Sequence, residues 1–353
     1  MAKTIVLTGG GTMGAVSPLL AVRERMLERQ GRFDFVWIGT EAGIEREIVS
    51  REGIEYKGIK AAKLRRYFSL ALFVDPFRFI VGFFQAWALL KKIKPEFILT
   101  CGGYVSVPVV LAGYLRKIKI IVHQQDIQVG LANKIMAPFA TKITVSVDFL
   151  SKKFPKEKTI LLGNPVRSRI FSGKRESAVV RFKLRGDLPV LLVLGGSLGS
   201  EWINKMIYDC ATELTSICEI LHVTGKANIA RKLVLENYHQ FEYLNEELAD
   251  AYAVSDLVVA RAGFSTLTEL AVLGKAAVII PIPGNQQEKN AAYFNSKNAV
   301  VYLSQTSATK EDLLALLRKL ISDTSNLRRL GGEITALIPK DSTDKMVDLL
   351  YKM

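Results

Sequence analysis

Short apolar runs rich in β-branched residues alternate with helix-like segments along nearly the whole of this 353-residue chain. This alternation predicts an α/β fold in which parallel strands carry helices on both faces of each sheet. The strand-like runs of the first half cover residues 5–7, 35–38, 97–100, 118–123 and 143–147. Those of the second half cover residues 189–194, 221–223, 257–260 and 277–281.

The stretch Leu161–Arg167 interrupts the alternation. A chain of this length suits two domains. We therefore predict two Rossmann-like doubly wound units that face one another across a cleft, over residues 1–163 and 164–340. The last segment, at about 341–353, is predicted to form a helix that packs back on the first unit.

Basic residues outnumber acidic ones by 48 to 34, which gives a formal net charge of +14. Such a charge attracts anions, and nucleic acid, acidic lipid and phosphorylated small molecules all satisfy it. No recognisable nucleic-acid-binding module accompanies the charge, so we expect no nucleic-acid partner.

The three cysteines, Cys101, Cys210 and Cys218, are scattered without metal-ligand spacing. This pattern argues against a disulfide framework or a zinc site and favours a reducing compartment. We expect no signal peptide, because the N-terminus runs directly into a strand-like segment. The strongest apolar run, Tyr67–Leu90, is interrupted by charged residues, proline and glycine, so it lacks the ~18 uninterrupted apolar residues of a spanning helix.

Each half has a glycine-rich turn between a strand and a helix, at residues 8–14 and 195–199. Glycines at such a turn let backbone N–H groups approach a phosphate or hydroxyl, and the helix N-terminus adds positive potential. The first turn contains the pattern G-x-G-x-x-G, which is typical of dinucleotide sites. Glu41 is poorly placed to hold the ribose of a dinucleotide, so a tight turn that allows helix–sheet packing is favoured over an NAD site.

The segment Arg261–Thr266 follows a predicted strand and opens the helix that carries Glu269. A turn with N–H donors and two hydroxyls at a helix start suits a diphosphate. Glu269 can accept both hydroxyls of a ribose, since an ionised carboxylate has two acceptor oxygens. The plainer interpretation is that Ser265 or Thr266 caps the helix and that Glu269 favours its first turn. The two interpretations are compatible.

Two adjacent amides, Gln286 and Gln287, follow the next predicted strand. Each amide is a donor and an acceptor together, which suits the recognition of neutral sugar hydroxyls at the carboxyl end of a parallel strand.

Seven motifs occur in register along almost the whole chain. They are Gly10-Gly11-Thr12-x-Gly14-x-x-x-Pro18, Gly102-Gly103-Tyr104-Val105-Ser106-x-Pro108, His123-x-Gln125 with Gly130–Lys134, Gly163–Arg167, Gly195-Gly196-Ser197-x-Gly199, Arg261–Glu269 and Gln286-Gln287. Together they resemble the MurG family of the GT-B superfamily, the inverting N-acetylglucosaminyltransferases that act on lipid I in peptidoglycan synthesis.

The resemblance implies that the second half binds the donor substrate, UDP-N-acetylglucosamine (UDP-GlcNAc), and that the scaffold requires no metal or other cofactor. The implied donor contacts are Arg167, Ser197 and Thr266 at the diphosphate, Leu244 at the uracil, Glu269 at the ribose, and Gln286 and Gln287 at the GlcNAc.

Loops of the first half would take the acceptor, the polyprenyl-diphosphate-linked lipid I. The residues implied by the matched motifs are Thr12, Gly14, Tyr104, Ser106, His123, Gln125 and Asn133.

Three positions depart from the family pattern. Ala15 replaces the histidine that usually serves as candidate base for the acceptor hydroxyl, Gln124 replaces a glutamate and Asp126 replaces an asparagine. Asp126 is the predicted substitute base, and burial would have to raise its pKa above the usual ~3.9. Its alternative role is that of a turn residue.

A basic and aromatic segment predicts contact with a membrane surface. The cations are Lys63, Arg65 and Arg66, and the aromatic run behind them includes Phe77, Phe83 and Trp87. Aromatic residues flanked by cations fit a helix at an anionic surface, so anionic inner-leaflet lipids are expected partners and the cytoplasmic face of the cell membrane is the expected location. A pair of buried core helices is the alternative.

The expected function is therefore that of a hexosyltransferase that moves GlcNAc from UDP-GlcNAc to lipid I and forms lipid II. One alternative is a UDP-sugar enzyme of the same fold with another acceptor, or an epimerase. The other is a non-catalytic UDP-sugar-binding protein at the membrane, which the alanine at position 15 motivates.

Overall fold

A computed structural model describes residues 3–11, 13–29, 33–62, 71–196, 199–225 and 233–353. The chain forms two compact units, one of Met1–Arg167 with Lys340–Met353 and one of Ser168–Pro339. The first unit thus ends after residue 167, whereas the sequence predicted a boundary after residue 163.

The first unit is built on a parallel sheet. Its strands are β1 (Lys3–Thr8), β2 (Phe33–Thr40), β3 (Glu55–Ile59), β4 (Phe97–Thr100), β5 (Lys119–Gln124), β6 (Lys142–Val145) and β7 (Thr159–Leu161). Its helices are α1 (Ser17–Glu28), α2 (Glu45–Arg51), α3 (Ala71–Ile93), α4 (Ser106–Leu115), α5 (Leu131–Met136) and α6 (Asp148–Ser151). The strands lie in the order β3-β2-β1-β4-β5-β6-β7.

The second unit repeats this plan. Its strands are β8 (Val190–Leu194), β9 (Glu219–Val223), β10 (Tyr238–Phe241), β11 (Leu257–Ala260), β12 (Ala277–Ile279) and β13 (Val301–Tyr302). Its helices are α7 (Arg175–Phe182), α8 (Glu201–Leu214), α9 (Leu248–Val254), α10 (Phe264–Leu273), α11 (Gln286–Ser296), α12 (Lys310–Ser322) and α13 (Thr324–Thr335). The strands are again parallel, in the order β10-β9-β8-β11-β12-β13.

The strand order reverses once in each sheet, between β1 and β4 in the first and between β8 and β11 in the second. Loops that leave the two central strands turn to opposite sides there, which opens a crevice at their carboxyl ends where ligands of such folds bind. The predicted class of two Rossmann-like units is confirmed, and both glycine turns follow a strand that borders such a reversal.

The last helix, α14 (Ser342–Lys352), belongs to the first unit and packs on α1. Its buried face enters the core of that unit through Met346, Val347 and Leu350. On its outer side, Asp344 accepts a 2.7 Å hydrogen bond from Nε of Arg25. Apolar burial and ion pairing therefore both tie the C-terminus to this unit.

The core contact of α14 predicts a measurable stability difference. Leu350 is only 2% exposed, so Leu350→Ala leaves a cavity and should lower the free energy of unfolding by about 2–5 kcal/mol. Lys352→Ala, on the exposed side of the same helix, should stay within about 0.5 kcal/mol of the parent. Urea unfolding of both variants checks this, and equal costs would mean that α14 adds little to the core.

Candidate functional site

The turns that follow β1 and β4 touch each other at the reversal of the first sheet. Gly103 has a φ of +95°, and a Cβ on it would stand 2.6 Å from the carbonyl oxygen of Gly10. Gly11 has a φ of +83° and lies against the ring of Tyr104. Glycine alone accepts both the left-handed backbone and the close approach, so this edge offers a backbone-lined surface to a ligand.

A buried carboxylate supports this surface from behind. Glu45, at the start of α2, is 0% exposed. It accepts hydrogen bonds from the backbone N–H of Gly11 at 3.3 Å and from the N–H and hydroxyl of Thr40 at 2.9 and 2.6 Å. Burial, and then the charge of Glu45, raise the pKa of the Tyr104 hydroxyl. No local motif marks Glu45, so its role could not be predicted from the sequence.

His123 lies at the end of β5 but does not face a ligand. The ring is 0% exposed, with Nδ1 2.9 Å from the hydroxyl of Thr144 and Nε2 2.9 Å from Oδ1 of Asn164. Burial lowers the pKa of His123 to about 4, so the ring is neutral at pH 7. The expected contact of this side chain with the acceptor does not fit the structure, because both ring nitrogens are engaged inside the fold.

Two other implied acceptor residues carry buried oxygens that lack a partner. The Asn133 amide donates to the carbonyl of His123 at 3.1 Å and to Oε1 of Gln124 at 2.7 Å. Within the described part of the chain, Oδ1 of Asn133 and Oε1 of Gln125 have no hydrogen-bond donor. A ligand hydroxyl or amide would satisfy these acceptors. Ser106, by contrast, uses its hydroxyl within the turn, donating to Gly102 O at 2.9 Å.

Two of the departures from the family pattern are linked by a hydrogen bond. The side-chain nitrogen of Gln124 donates to the backbone carbonyl of Asp126 at 2.7 Å and to that of Gln128 at 3.3 Å. A glutamate carboxylate could make neither donation, so Gln124 shapes the loop that carries Asp126. Ala15 is 5% exposed and offers no titratable group.

Several of the predicted site residues lie outside the part of the chain that the structure describes. They are Thr12, Ser197 and the cations Lys63, Arg65 and Arg66. Gly14 is described and partly exposed in the turn Met13–Ala15. Among the described residues, no three histidine, cysteine or acidic side chains are grouped as they would be around a metal ion.

In the second unit, Arg261 joins three turns at the carboxyl edge of the sheet. Its guanidinium donates to the hydroxyl of Ser200 at 2.6 Å and to the carbonyls of Ile280 and Pro281 at 3.0 and 3.2 Å. Burial lowers the pKa of Arg261. A guanidinium in this position can form charge-assisted hydrogen bonds to an anion.

Helix α10 starts at this edge without a side-chain cap. Its N-cap is Gly263, so the capping interpretation of Ser265 and Thr266 is wrong. The hydroxyl of Ser265 is buried, and it has no hydrogen-bond partner among the residues described. Uncapped N–H groups and a helix N-terminus favour a bound anion.

One turn further along α10, Glu269 is partly buried and accepts a hydrogen bond from the hydroxyl of Tyr252 at 3.0 Å. Burial raises the pKa of Glu269 to about 7, against the lowering effects of Tyr252 and of the positive charge of Arg169. Because the raised pKa lies near neutral pH, the charge of this carboxylate is sensitive to pH in that range. Sequence reasoning placed Glu269 at a ligand but missed Tyr252, because the two residues lie 17 positions apart on different helices.

The amides predicted to contact the sugar lie in the first turn of α11. Gln286 is exposed, and Oε1 of Gln287 accepts the backbone N–H of Ile282 at 3.2 Å. Leu244, after β10, is 5% exposed. The structure brings the turns after β8, β11 and β12 to one edge, and these residues remain predicted ligand contacts.

Arg167 does not belong to the unit that holds the other described donor residues. Its Nε donates to Glu24 at 2.8 Å, and its two terminal nitrogens donate to Glu52 at 2.7 and 3.0 Å. The two carboxylates raise the pKa of Arg167 against the effect of burial. A contact with a diphosphate would require this side chain to exchange its present partners.

Helix α3 carries an apolar face that differs from the predicted one. Trp87 and Phe83 are partly buried, and the guanidinium of Arg116 covers the Trp87 ring at 5.1 Å. Among the side chains of this helix that the structure describes, the exposed large apolar ones are Phe77, Ile80, Val81 and Phe84, which we call the α3 surface. Phe77 is 72% exposed.

A cavity of about 480 Å³ beside the α3 surface is lined by Lys60, Arg78 and Tyr104 among others. Within the described residues, no helix has the length and apolar character needed to cross a bilayer.

Comparisons with known proteins agree with the fold and identify the family. Residues 5–145 match the glycosyltransferase family 28 N-terminal domain, and residues 190–333 match its C-terminal domain. The UDP-N-acetylglucosamine–N-acetylmuramyl-(pentapeptide) pyrophosphoryl-undecaprenol N-acetylglucosamine transferase of Clostridium kluyveri is 39% identical over 99% of both chains. The protein of that name from Legionella pneumophila is 36% identical over 99% of this chain and 97% of its own.

Among solved structures, Acinetobacter baumannii MurG superposes with a TM-score of 0.77 at 24% identity, covering 99% of this chain and 100% of its own. That likeness concerns the fold, while the sequence relatives establish the family. The chain therefore belongs to glycosyltransferase family 28 and, within it, to the MurG family.

Proposed function

We propose that this chain transfers GlcNAc from UDP-GlcNAc to lipid I and so forms lipid II. The observation that carries the proposal is its full-length identity of 39% with a relative whose name states this donor and this acceptor. A same-fold enzyme with another acceptor is less well supported, because both transferases compared above, at 36–39% identity, share that name.

The donor binds the second unit in this proposal. The charge of Arg261, the Ser265 hydroxyl and the α10 N-terminus face the diphosphate, and Glu269 accepts the ribose hydroxyls. Gln286 and Gln287 contact GlcNAc, with Leu244 at the uracil and Thr266 and Ser197 at the diphosphate. A positive edge stabilises the departing UDP, because negative charge develops on its diphosphate oxygens as the bond to the sugar breaks.

The transfer is a single inverting displacement. The acceptor hydroxyl oxygen bonds to C1 of GlcNAc from the face opposite UDP, the bond from C1 to the diphosphate oxygen breaks, and UDP leaves with that electron pair. The hydroxyl proton passes to a base, for which Asp126 is proposed because Ala15 cannot accept a proton. No metal ion or other cofactor enters this scheme.

The acceptor binds the first unit where the turns that follow β1 and β4 touch each other. The unpartnered oxygens of Gln125 and Asn133 accept its hydroxyl or amide hydrogens, and Tyr104 borders the same surface. The α3 surface lies against anionic lipid beside this site, with Lys60 and Arg78 as the nearby described cations. An apolar face with flanking cations binds an anionic surface through both burial and attraction.

Removing the proposed base predicts slower transfer. Asp126→Asn should lower kcat by about 10²–10⁴, because the amide cannot take the acceptor proton. Asp148→Asn, an exposed aspartate of the same unit, is the matched control. UDP release from UDP-GlcNAc and a short-chain lipid I analogue measures both. An unchanged kcat would exclude Asp126 as the base, and UDP binding without release in the parent chain would favour a non-catalytic binding protein.

The raised pKa of Glu269 predicts opposite effects of one substitution on binding and stability. The folded chain disfavours the ionised form, so this carboxyl stabilises the fold most below pH 4.5 and loses that contribution as the pH rises through about 7. At pH 8, Glu269→Gln should therefore raise the free energy of unfolding by about 1–3 kcal/mol.

The same variant should bind UDP about tenfold or more weakly, because the ionised oxygens accept the ribose hydroxyls more strongly than an amide does. Glu236→Gln, on a side chain that is 84% exposed, should change neither quantity. Calorimetric titration with UDP and thermal unfolding at pH 8 test the pair of effects, and parallel losses in both would contradict them.

The α3 surface predicts lipid binding that depends on two aromatic residues. Phe77→Ser combined with Phe84→Ser should weaken binding to vesicles that contain anionic lipid at least tenfold, since each buried ring contributes about 1.5–3 kcal/mol. Phe149→Ser, 44% exposed elsewhere in the unit, is the control. Flotation of the parent chain that is indifferent to anionic lipid would refute the proposal.

A further inference from the structure

We infer that Tyr252 is a positioning residue for the donor substrate: its hydroxyl fixes the carboxylate of Glu269 in the orientation that accepts the two ribose hydroxyls. The inference rests on the proposed function, because it takes the ribose of UDP as the ligand of Glu269. It concerns a residue that does not itself touch the ligand and that no motif of the sequence marks.

The hydrogen bond between Tyr252 and Glu269 joins two helices of the second unit, near the carboxyl edge of its sheet. Tyr252 lies on α9 and is 1% exposed, while Glu269 lies on α10, which begins where β11 ends. The phenolic hydroxyl donates to Oε2 of Glu269 at 3.0 Å. A buried ring held by its helix has little freedom to move, so its hydroxyl is a fixed point against which the longer glutamate side chain is oriented.

The geometry leaves the right number of acceptor positions for a diol. An ionised carboxylate offers about four lone-pair sites on its two oxygens. Tyr252 occupies one site on Oε2, so both sites of Oε1 and the second site of Oε2 remain for ligand hydroxyls. Two adjacent hydroxyls of one ribose need two such sites, and the bidentate contact requires that the plane of the carboxylate be fixed.

The hydroxyl of Tyr252 is a permanent donor. Burial, and then the nearby charge of Glu269, raise the pKa of Tyr252 well above its usual value, so the phenol stays protonated at physiological pH. The other charge that acts on Glu269 is that of Arg169, in the turn Ser168–Ser172. Arg169 is exposed and acts through its charge, whereas Tyr252 supplies the hydrogen bond that sets direction.

Orientation before the ligand arrives strengthens binding because it removes an ordering cost. A glutamate with three rotatable bonds loses conformational freedom when a ligand fixes it. If Tyr252 already orders the carboxylate in the free protein, binding of the ligand costs less conformational entropy. This is the general benefit of preorganisation. Removal of the Tyr252 hydroxyl should therefore weaken the contact with the ribose diol and leave the other donor contacts unchanged.

The test compares UDP with 2′-deoxy-UDP, which lacks one of the two hydroxyls, by calorimetric titration of the full chain. In the parent chain UDP should bind about tenfold tighter than its 2′-deoxy analogue. In Tyr252→Phe the affinity for UDP should fall about tenfold, while that for 2′-deoxy-UDP changes less than about twofold. Tyr238→Phe is the matched control, since Tyr238 is buried in the same unit and its hydroxyl bonds to His222 at 2.6 Å.

A second readout separates positioning from simple support of the fold. The hydrogen bond from Tyr252 lowers the pKa of Glu269, so its loss should move upward the pH below which UDP affinity declines, whereas the Tyr238 control should leave that pH unchanged. Thermal unfolding shows whether each variant is folded. Tyr252→Met, which also lacks a donor and fills space flexibly, replaces Tyr252→Phe if the latter does not fold.

Equal losses of affinity for UDP and 2′-deoxy-UDP in the Tyr252 variants would overturn the inference and leave the proposed function standing. A parent chain that binds both nucleotides equally would overturn the ribose contact of Glu269 and the inference with it. A parent chain that binds no UDP at all would instead refute the proposed function.

Discussion

The parallel arrangement of the strands determines where this protein can bind a ligand. In each sheet every helix N-terminus that follows a strand points to the same edge, and the order of strands reverses once, at β1/β4 and at β8/β11. Backbone N–H groups and positive potential are concentrated there, because the connections leave the central strands in opposite directions. The crossing of Gly103 with Gly10, the hydrogen bonds of Arg261 and the start of α10 are all consequences of this topology. The same edge would not exist in an antiparallel sheet.

The sequence predicted nine strands, and these are the interior strands of the two sheets. The strands that it missed are β3, β7, β10 and β13, which form the outer edges. An interior strand of a parallel sheet is covered by helices on both faces and therefore reads as a continuous apolar run. An edge strand is short or polar, as Glu55–Ile59 and Tyr238–Phe241 are, and nothing in such a sequence distinguishes it from a loop. The boundary between the units lies four residues from its predicted place for a related reason. A linker has no apolar pattern of its own, so the sequence does not fix the residue at which it ends.

The candidate site shows the same limit at the level of side chains. Motifs predicted which turns meet, because each motif is local and parallel strands bring their ends together. Partners from distant segments could not be predicted in this way: Glu45 behind the glycine turn and Tyr252 beside Glu269 are separated from their partners by 34 and 17 residues. His123 shows the opposite error, since a histidine in a motif suggested ligand contact and the structure buries both its nitrogens. Spacing identifies a segment, but only packing decides whether its side chain points to a ligand or to the core.

Several buried polar groups near the carboxyl ends of the strands destabilise the unliganded fold, and we interpret them as hydrogen-bond partners for the substrates. Oε1 of Gln125, Oδ1 of Asn133 and the hydroxyl of Ser265 have no partner among the described residues, and a buried unsatisfied polar atom costs about 1–3 kcal/mol. Burial also disfavours the ionised form of Glu269 and the charge of Arg261. A sequence selected for stability alone would replace such groups. Their retention at the carboxyl edges is explained if hydroxyls, amides and phosphates of the substrates complete their hydrogen bonds, so that the free energy lost in the fold is regained on binding.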